Sequence, residues 1–368
     1  MKRFLTLFPA AENIHLIKDV GMIPYTLHKE GLMQTQLACF NNGDYPYLRH
    51  EVAGLEIVFI KRRFKSDLLS ILWFIVCYGR RFDILQMYHY DRKSLYSLLL
   101  FKILTAFRGK TYLKLDADHH VKQFRYVGFN GWIASKIMQT IDLVSVESKE
   151  LHRFIQEHHL YRRPVAYIPN GFVPSAGRPP LLVDREPIIL TVGRIGTFQK
   201  ATEILVSAFC QATQGVTAWK LVLVGPVEPS FMDILANFKS RYPNLAPQIQ
   251  LLGAVTDRNE LRNIYHRARL FVLPSRYESF GFVCLEAIDA GCYLIASDLA
   301  SLQDITKSGQ TATLFPVADE HALVRALKQV MASDLDDLQV RVDLARTYIR
   351  QNFAWKQVCG KVSAYLTS

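Results

Sequence analysis

The chain has 368 residues, of which 50% are hydrophobic and 21% charged, and this composition excludes a disordered protein and allows two domains of ordinary size. Its six cysteines are scattered without a CxxC pair, which argues against a zinc site and fits a reducing, cytosolic environment. The net charge of +11 is uneven, because residues 1–170 hold 24 Lys and Arg against 15 Asp and Glu, while residues 171–368 hold 20 against 18.

Apolar, strand-like runs alternate with helix-like segments along the first half of the chain, a pattern that predicts a parallel sheet flanked by helices. The first run is short and ends at Pro9, so we expect no cleavable signal peptide. After it, residues 19–24 lead from a loop into a helix that ends near Gly31. Gly21 in this loop allows the backbone to approach a phosphate or a sugar, although it is also a plausible plain turn residue. The predicted strands cover residues 4–8, 36–40, 55–60, 84–90, 110–115, 141–146 and 165–168.

Two apolar stretches in this half have basic flanks. Residues 61–65 read KRRFK and precede an apolar run at 68–76, which is followed by Arg80 and Arg81; the second stretch covers residues 95–107. Both are too short to span a bilayer, but they can lie in its interface with cations toward anionic headgroups. The alternative is two ordinary helices packed on the sheet. A nucleic-acid groove would need basic residues interleaved with exposed aromatic side chains, so we expect a membrane surface and no nucleic acid as partner.

Acidic and imidazole side chains follow the strand predicted at residues 110–115. Ligands bind at the carboxyl ends of the strands in open α/β sheets, so Asp118 and His119 are candidates for ligand contact. The alternative is a polar loop that caps the next helix. Asp116 and Asp118 form a DxD pattern, but we expect no metal site, because this half of the chain lacks the diphosphate-binding motif described below.

A Pro- and Gly-rich stretch at residues 174–180 predicts a linker between two domains, at 1–172 and 173–353. Strands and helices alternate on both sides of it. Both domains are therefore expected to belong to the doubly wound α/β class.

The second domain opens with a buried-strand pattern at residues 188–192, followed by GRIGTFQK at 193–200 and then a helix. The two glycines permit a close backbone approach, and Arg194 and Lys200 can converge with the helix N-terminus on one dianion. The motif is neither a P-loop nor a dinucleotide-binding fingerprint, because it lacks both Gly-Lys-Ser/Thr and a third glycine.

A second motif lies in a β-loop-α-β unit within residues 270–304. A short apolar strand ends in a loop that carries Glu278, and the helix that follows carries Glu286. A carboxylate accepts paired hydrogen bonds from vicinal hydroxyls, and a helix N-terminus binds phosphate. Both motifs together predict a ligand that is anionic in its middle and hydroxyl-rich at its ends, as a nucleotide-sugar is. For the Glu pair alone, an amphipathic helix with a surface glutamate is the alternative.

The sequence Glu278-x7-Glu286, with Ser-Phe-Gly-Phe inside it, resembles the E-x7-E motif of family 4 glycosyltransferases of GT-B fold. The sequence at 193–200 resembles the GRxxxxK loop of the same family. The resemblance is strong in the C-terminal half of the chain and weak in the N-terminal half. It implies two Rossmann-like, doubly wound domains that face each other across a cleft, with a last helix at about residues 354–368 packed back onto the first domain.

The resemblance also implies roles for individual residues. The first Glu of the motif contacts the donor sugar and the second the ribose, while Arg and Lys of the loop hold the diphosphate. A His or Asp of the N-terminal domain reaches the transferred sugar, and its first loop carries a glycine that faces the donor phosphates. The family's usual Gly-Gly pair is absent here. The implied donor-binding residues are Gly21, Arg194, Lys200, Gly253, Val255, Glu278, Ser279, Phe280, Gly281, Phe282 and Glu286, and the implied catalytic ones are Asp118, His119 and Glu278.

The function implied is retaining transfer of a sugar from a nucleotide-diphosphate sugar, with a UDP-sugar favoured, to the hydroxyl of a lipid-linked or surface-polysaccharide acceptor. It needs no cofactor and no metal, and we expect a cytoplasmic protein bound peripherally to the inner face of the membrane. The alternatives are a catalytically silent nucleotide-sugar-binding protein and a GT-B sugar epimerase or phosphorylase. The combination of Arg194, Lys200, Glu278 and Glu286 argues against a silent protein, and the E-x7-E frame argues against the other two.

Overall fold

The computed structural model describes residues 1–115, 128–158, 161, 164–214 and 218–367. The chain divides into two compact units, one formed by Met1–Gly171 with Phe353–Ser368 and the other by Phe172–Asn352. The observed division lies one residue before the end predicted for the first domain. Within the described ranges, no helix combines the length and apolar character that crossing a membrane requires.

The first unit is built on a seven-stranded parallel sheet with the order β3-β2-β1-β4-β5-β6-β7. Its strands are β1 Arg3–Leu7, β2 Gln34–Cys39, β3 Glu56–Phe59, β4 Ile84–Tyr88, β5 Lys110–Leu115, β6 Leu143–Val146 and β7 Ala166–Tyr167. The helices of its N-terminal segment are α1 Asp19–Lys29, α2 Asp67–Tyr78, α3 Arg92–Leu104, α4 Gly128–Met138 and α5 Lys149–Glu157.

Helices cover both faces of this sheet, which explains why its strands read as apolar runs rather than as alternating patterns. Successive strand residues point to opposite faces, so Phe4 enters one core and Leu5 the other. The core on the Leu5 side includes apolar residues of α2 and α3. The core on the Phe4 side includes those of α1 and of the C-terminal helix Trp355–Thr367.

The start of α1 differs from the sequence interpretation. Residues 19–24 were expected to form a loop that enters a helix, but α1 already begins at Asp19, so Gly21 lies in its first turn and Pro24 lies inside the helix. The Pro24 carbonyl accepts a hydrogen bond from Thr35 Oγ1 at 2.7 Å.

The second unit is built on a six-stranded parallel sheet with the order β10-β9-β8-β11-β12-β13. Its strands are β8 Glu186–Val192, β9 Lys220–Val224, β10 Ile249–Gly253, β11 Ala268–Leu273, β12 Tyr293–Ser297 and β13 Thr313–Phe315. Its helices are α6 Thr202–Ala212, α7 Pro229–Arg241, α8 Arg258–Arg267, α9 Phe282–Asp289, α10 Ala300–Ile305, α11 Glu320–Met331 and α12 Leu335–Phe353; the C-terminal helix is α13.

Both sheets have a point at which the strand order reverses. In the first sheet this switch point lies between β1 and β4, and in the second between β8 and β11. The connections on either side of a switch point run to opposite faces of the sheet, which opens a crevice at the carboxyl ends of the two strands. Each unit therefore has one place that its topology favours for a ligand.

Candidate functional site

The two motifs of the second unit meet at its switch point. The loop with Arg194 and Lys200 follows β8, and the loop with Glu278 follows β11. These two strands pair in parallel, so their carboxyl ends lie side by side. Residues 78 positions apart in sequence are thereby brought together.

Arg276 and Gln199 bind the two loops to each other. The backbone amide of Arg276 donates to the carbonyl of Gln199 at 2.8 Å, and Gln199 Nε2 donates to the carbonyl of Tyr277 at 3.1 Å. The Arg276 guanidinium donates to the Phe198 carbonyl and to Glu203 Oε1, both at 2.7 Å. Neither residue was predicted from the sequence, although Gln199 adjoins Lys200 and Arg276 lies two positions before Glu278, because their role depends on the partner loop.

Lys200 and Glu278 form a close ion pair across these loops, with 2.5 Å between Lys200 Nζ and Glu278 Oε1. Their side chains are only 16% and 8% exposed, so water screens the pair weakly. The same carboxylate oxygen accepts a hydrogen bond from Ser275 Oγ at 2.7 Å. Both donors thus contact Oε1, and together they fix the orientation of the carboxylate. The buried Ser275 is a further site residue that the sequence analysis did not identify.

Arg194 lies on the exposed side of the same loop. Its Nη2 donates to Gln199 Oε1 at 2.5 Å, so the glutamine that joins the two loops also orients the guanidinium. Arg194 and Lys200 are therefore both tied to the β11 loop, one through Gln199 and one through Glu278. This arrangement concentrates two positive charges at the switch point.

Two helix N-termini begin at this place without a capping side chain. The N-cap of α6 is Ala201 and that of α9 is Gly281, and neither residue has a side chain that can accept a hydrogen bond from the first turn. Gly281 has φ +86°, a conformation that favours glycine, and a Cβ there would lie 2.7 Å from Leu302 Cδ2, so the leucine side chain would have to shift. The helix dipoles and the amides at the start of the two helices favour an anion at this point.

The neighbours of Gly281 contribute in different ways. Phe280 is 2% exposed and its ring packs edge-on against that of Phe282, with 5.1 Å between centroids. These aromatic side chains thus have a packing role, and a ligand contact from Phe280 would have to come through its backbone. Ser279 is exposed.

Glu286 lies in the second turn of α9 and has different partners from Glu278. Tyr265 donates to Glu286 Oε2 at 3.3 Å, and Arg258 Nη2 lies 4.0 Å from Oε1. Burial raises the pKa of Glu286 above its ordinary value, while Arg258 and the Tyr265 hydroxyl offset part of that effect. Its side chain nevertheless keeps 38% of its surface exposed, so the carboxylate is accessible to a ligand. Tyr265 and Arg258, both from α8, were not predicted.

The charges of both carboxylates affect the pKa of Cys284, which lies between them in the sequence. Burial raises the pKa of Cys284, and the negative charges of Glu278 and Glu286 raise it further, while Lys200 opposes them. Both glutamates therefore lie near Cys284, although each has its own protein partners. The buried neutral thiol itself is unreactive.

The remaining predicted residues lie away from this cluster or outside the described residues. Gly253 ends β10 and accepts a hydrogen bond from the Gly225 amide at 2.8 Å, and Val255 follows it half-buried in the loop. Gly21 lies in the first unit, where a Cβ would lie 2.2 Å from the carbonyl oxygen of Leu16, so close backbone packing already requires glycine there. Asp118 and His119 fall outside the residues that the structure describes.

The second unit also matches a family model. Residues 186–333, which include both motifs, match the model described as Glycosyl transferases group 1. The match lies within the second unit and covers less than half of the chain. The prediction of a GT-B type glycosyltransferase is thereby confirmed, while the roles of individual residues in the matched region stay predictions.

The chain is also similar to curated proteins over part of its length. The chain is 25% identical over 250 residues to the lipopolysaccharide core biosynthesis mannosyltransferase LpcC of Rhizobium leguminosarum bv. viciae, which covers 67% of this chain and 69% of that protein. It is 30% identical over 185 residues to a glycogen synthase of Mycobacterium tuberculosis, which covers 50% of this chain but only 43% of that relative.

The fold extends over the whole chain. The structure of Anabaena Alr3699/HepE in complex with UDP-glucose matches it with a TM-score of 0.70 and 15% sequence identity, over 100% of both chains. At this identity the similarity concerns the fold. The predicted class, two Rossmann-like parallel-sheet domains of GT-B type, is confirmed.

Proposed function

We propose that this protein is a retaining glycosyltransferase that transfers a sugar from a nucleotide-diphosphate sugar to an acceptor hydroxyl. The observation that carries the proposal is the contact between Lys200 and Glu278 at the β8–β11 switch point, beside the N-termini of α6 and α9. It combines a cationic, amide-rich place for a diphosphate with a fixed carboxylate for sugar hydroxyls. Such a ligand is a nucleotide-sugar.

The proposed chemistry relies on stabilising the leaving group. When the bond between the anomeric carbon and the diphosphate oxygen breaks, its electron pair stays on that oxygen. Lys200, Arg194 and the amides at the start of α9 would stabilise this charge. The acceptor oxygen bonds to the anomeric carbon on the same face, and its proton passes to the departing diphosphate. This charge stabilisation comes from protein groups and requires neither a metal nor another cofactor.

The two glutamates have separate proposed roles. Glu278, held by Lys200 and Ser275 through one oxygen, would accept hydrogen bonds from the donor sugar through the other. Glu286, on the α8 side of α9, would accept them from the ribose hydroxyls. Gly253 and Val255 would approach the base through their backbone.

We favour a UDP-sugar as donor and a lipid-linked or surface glycan as acceptor. The name of LpcC, a mannosyltransferase of lipopolysaccharide core biosynthesis, supports an acceptor of that class. The complex of HepE with UDP-glucose supports a uridine nucleotide on this fold.

Peripheral attachment to the inner face of the membrane is supported by a surface of the first unit. Exposed apolar side chains recur at helical spacing along α2 and α3, two helices that pack against each other. They are Leu69, Trp73 and Val76 on α2, with Tyr96 and Ile103 on α3 and Phe107 just beyond it. The basic residues at 61–65 and 80–81 lie at the two ends of α2. An apolar face with cationic ends suits the interface of an anionic bilayer.

A thermal-shift panel with UDP, GDP, ADP and their sugar conjugates tests the proposal. A ligand that binds the folded state raises the melting temperature, and we expect one nucleotide to do so, with one of its conjugates more effective. Glu278→Ala should abolish the extra effect of the sugar, whereas Glu260→Ala, an exposed glutamate on α8, should behave as wild type. Wild-type protein that responds to none of these nucleotides would refute the proposal.

A further inference from the structure

A cavity of about 410 Å³ lies at the amino-terminal edge of the first unit's sheet, where β1, β2 and β3 begin. We call it the amino-edge cavity. The residues that line it come from separate segments of the chain and include Arg3, His28, Gln34, Glu56, Arg81 and Phe82. A cavity of this size can hold a small ligand.

The amino-edge cavity is distinct from the places that the topology favours for substrates. Ligands of open parallel sheets bind at the carboxyl ends of the strands, where both motifs of the second unit lie. The amino-edge cavity lies at the other end of β1, a strand whose five residues span about 13 Å. A ligand of this cavity is therefore separate from the reaction proposed above.

Two arginines make one end of the amino-edge cavity cationic. Arg3 begins β1, the neighbour of β4, and Arg81 lies shortly before β4. The Arg3 side chain is 51% exposed, and its Nε lies 3.8 Å from Asp83 Oδ2, at the limit of an ion pair. The Arg81 guanidinium lies over the Tyr78 ring, 5.0 Å from its centroid, and no carboxylate of the described residues forms an ion pair with it. Both guanidiniums thus keep donors for a ligand, and their geometry suits phosphate oxygens.

Two further donors lie between this end and the opposite one. His28 is in the last turn of α1, and Gln34 begins β2, the strand between β1 and β3. Both side chains are exposed, and both line the amino-edge cavity. An imidazole and a carboxamide can each donate a hydrogen bond to an anionic oxygen.

The opposite end of the amino-edge cavity carries an oriented carboxylate. Glu56 begins β3, and Gln36 Nε2 donates to Glu56 Oε2 at 2.7 Å. The strand order β3-β2-β1-β4 separates β3 from β4 by three strand spacings, which is roughly 14 Å between backbones. A carboxylate repels phosphate but accepts hydrogen bonds from hydroxyl and ammonium groups. The lining therefore has a cationic end for an anion and an acidic end for a hydrogen-bond donor.

We propose that the amino-edge cavity binds a phosphate ester, with Arg3 and Arg81 holding the phosphate and Glu56 accepting a hydrogen bond from the alcohol part. That alcohol part carries a hydroxyl or ammonium group, and the half-buried Phe82 ring offers an apolar surface for its carbon chain. The same chemistry occurs in phospholipid head groups and in soluble phosphate esters. A lipid source is favoured by position, because Arg81 follows α2, which carries the proposed membrane surface.

A phosphorus NMR titration of the full chain with glycerol 3-phosphate tests the shared chemistry. We expect wild-type protein to bind this probe, and Arg3→Gln and Arg81→Gln each to weaken binding by about ten-fold or more, the effect of losing a charge-assisted hydrogen bond. Arg80→Gln is the matched control. It removes the same charge from the adjacent exposed position, where Arg80 donates to the carbonyl of Leu104 at 3.2 Å and does not line the cavity.

Monoethyl phosphate tests the role of Glu56, because it carries the same phosphate without hydroxyl groups. Wild-type protein should prefer glycerol 3-phosphate over monoethyl phosphate, and Glu56→Gln should reduce this preference a few-fold. The loss of a negative charge alone would strengthen the binding of both probes and leave their ratio unchanged. An unchanged ratio would therefore overturn the assignment of Glu56 to the alcohol part.

Co-sedimentation with vesicles of phosphatidylglycerol distinguishes the two sources of the ligand. Arg80→Gln and Arg81→Gln should lose the same general attraction to an anionic surface. A greater loss in Arg81→Gln assigns the amino-edge cavity to a lipid head group, whereas equal losses assign it to a soluble phosphate ester.

Two results of the glycerol 3-phosphate titration would overturn the inference. Wild-type protein that does not bind the probe has no such site. Binding that Arg80→Gln and Arg81→Gln weaken equally reflects general charge and not the amino-edge cavity. Neither titration contains a nucleotide, so these results leave the proposed glycosyltransferase function untouched.

Discussion

The two switch points of this molecule differ in how they use a lysine. In the second unit, Lys200 lies in the loop beyond β8 and keeps 16% of its side chain exposed, close to Glu278. In the first unit, Lys114 lies within β5, is 0% exposed and forms ion pairs with Asp19 and Glu147. A lysine in the loop can reach a ligand, whereas one buried within the strand can only orient the carboxylates with which it pairs. The same strand topology thus places a partly exposed lysine in a loop in one unit and a fully buried lysine within a strand in the other.

The largest expected effect of this difference concerns stability. Lys114→Met should lower the free energy of unfolding by about 3–5 kcal/mol, because it leaves buried carboxylates without a cation. Lys200→Met should cost less, since part of its site is accessible to water. Urea denaturation of the two variants measures both values. Equal losses would contradict the distinction between a positioning and a contacting lysine.

The catalytic rate, unlike stability, should depend strongly on Lys200, the lysine proposed to contact the ligand. Lys200→Ala should lower kcat by about 10²–10³, the range typical of losing one preorganised group that stabilises transition-state charge. The rate of nucleotide release from the donor identified in the thermal-shift panel measures this effect. Lys328→Ala, on an exposed position of α11, is the control. A Lys200→Ala variant that keeps the wild-type rate would remove this residue from the proposed mechanism.

A smaller effect concerns the proposed membrane surface of the first unit. Lys61→Gln with Lys65→Gln should weaken binding to anionic vesicles by about 30-fold at low salt, since each basic residue near such a surface contributes about 1 kcal/mol. Vesicle co-sedimentation measures this affinity, and raised salt should reduce the difference. Arg325→Gln with Lys328→Gln, both exposed in the second unit, should leave binding unchanged. Equal losses of vesicle affinity in the two double variants would indicate a general charge effect rather than a defined surface.

The second unit was more predictable from the sequence than the first for a physical reason. Its site is formed by two continuous segments, and each carries its own signal, glycines and cations in one and two glutamates in the other. The apolar runs at 188–192 and 270–273 also predicted β8 and β11 to within two residues at either end. Ser275 was missed because a serine beside a proline reads as a turn residue until its partner Glu278 is known.

The buried polar cluster around Lys114 in the first unit has no comparable local signal in the sequence. Asp19, Lys114, Glu147 and Asn170 come from four separate segments, and each is unremarkable in its own sequence context. Lys114 in particular reads as a polar residue on a half-exposed strand, whereas β5 is covered on both faces and buries it. Only the strand order, which no local pattern specifies, brings these residues together.

The smallest expected effect is a pH dependence that separates the two glutamates of the second unit. Ribose hydroxyls donate to an ionised carboxylate, so nucleoside affinity should be full above the pKa of Glu286 and fall as the pH drops through it. Because burial raises that pKa, the loss should begin at a higher pH than for an ordinary glutamate, whose pKa is about 4.3. Uridine is the suitable ligand for calorimetry, since it lacks phosphates that titrate in the same range.

Variants of Glu286 and of its neighbour assign this titration. Glu286→Gln should bind uridine a few-fold more weakly at neutral pH and lose this part of the pH dependence, as expected for replacing a charged acceptor by a neutral one. Arg258→Ala should move the loss to higher pH, because Arg258 opposes the upward shift in the pKa of Glu286. A pH profile that is unchanged in Glu286→Gln would show that another group titrates. The ribose contact would then have to be sought elsewhere on the α8–α9 side of the site.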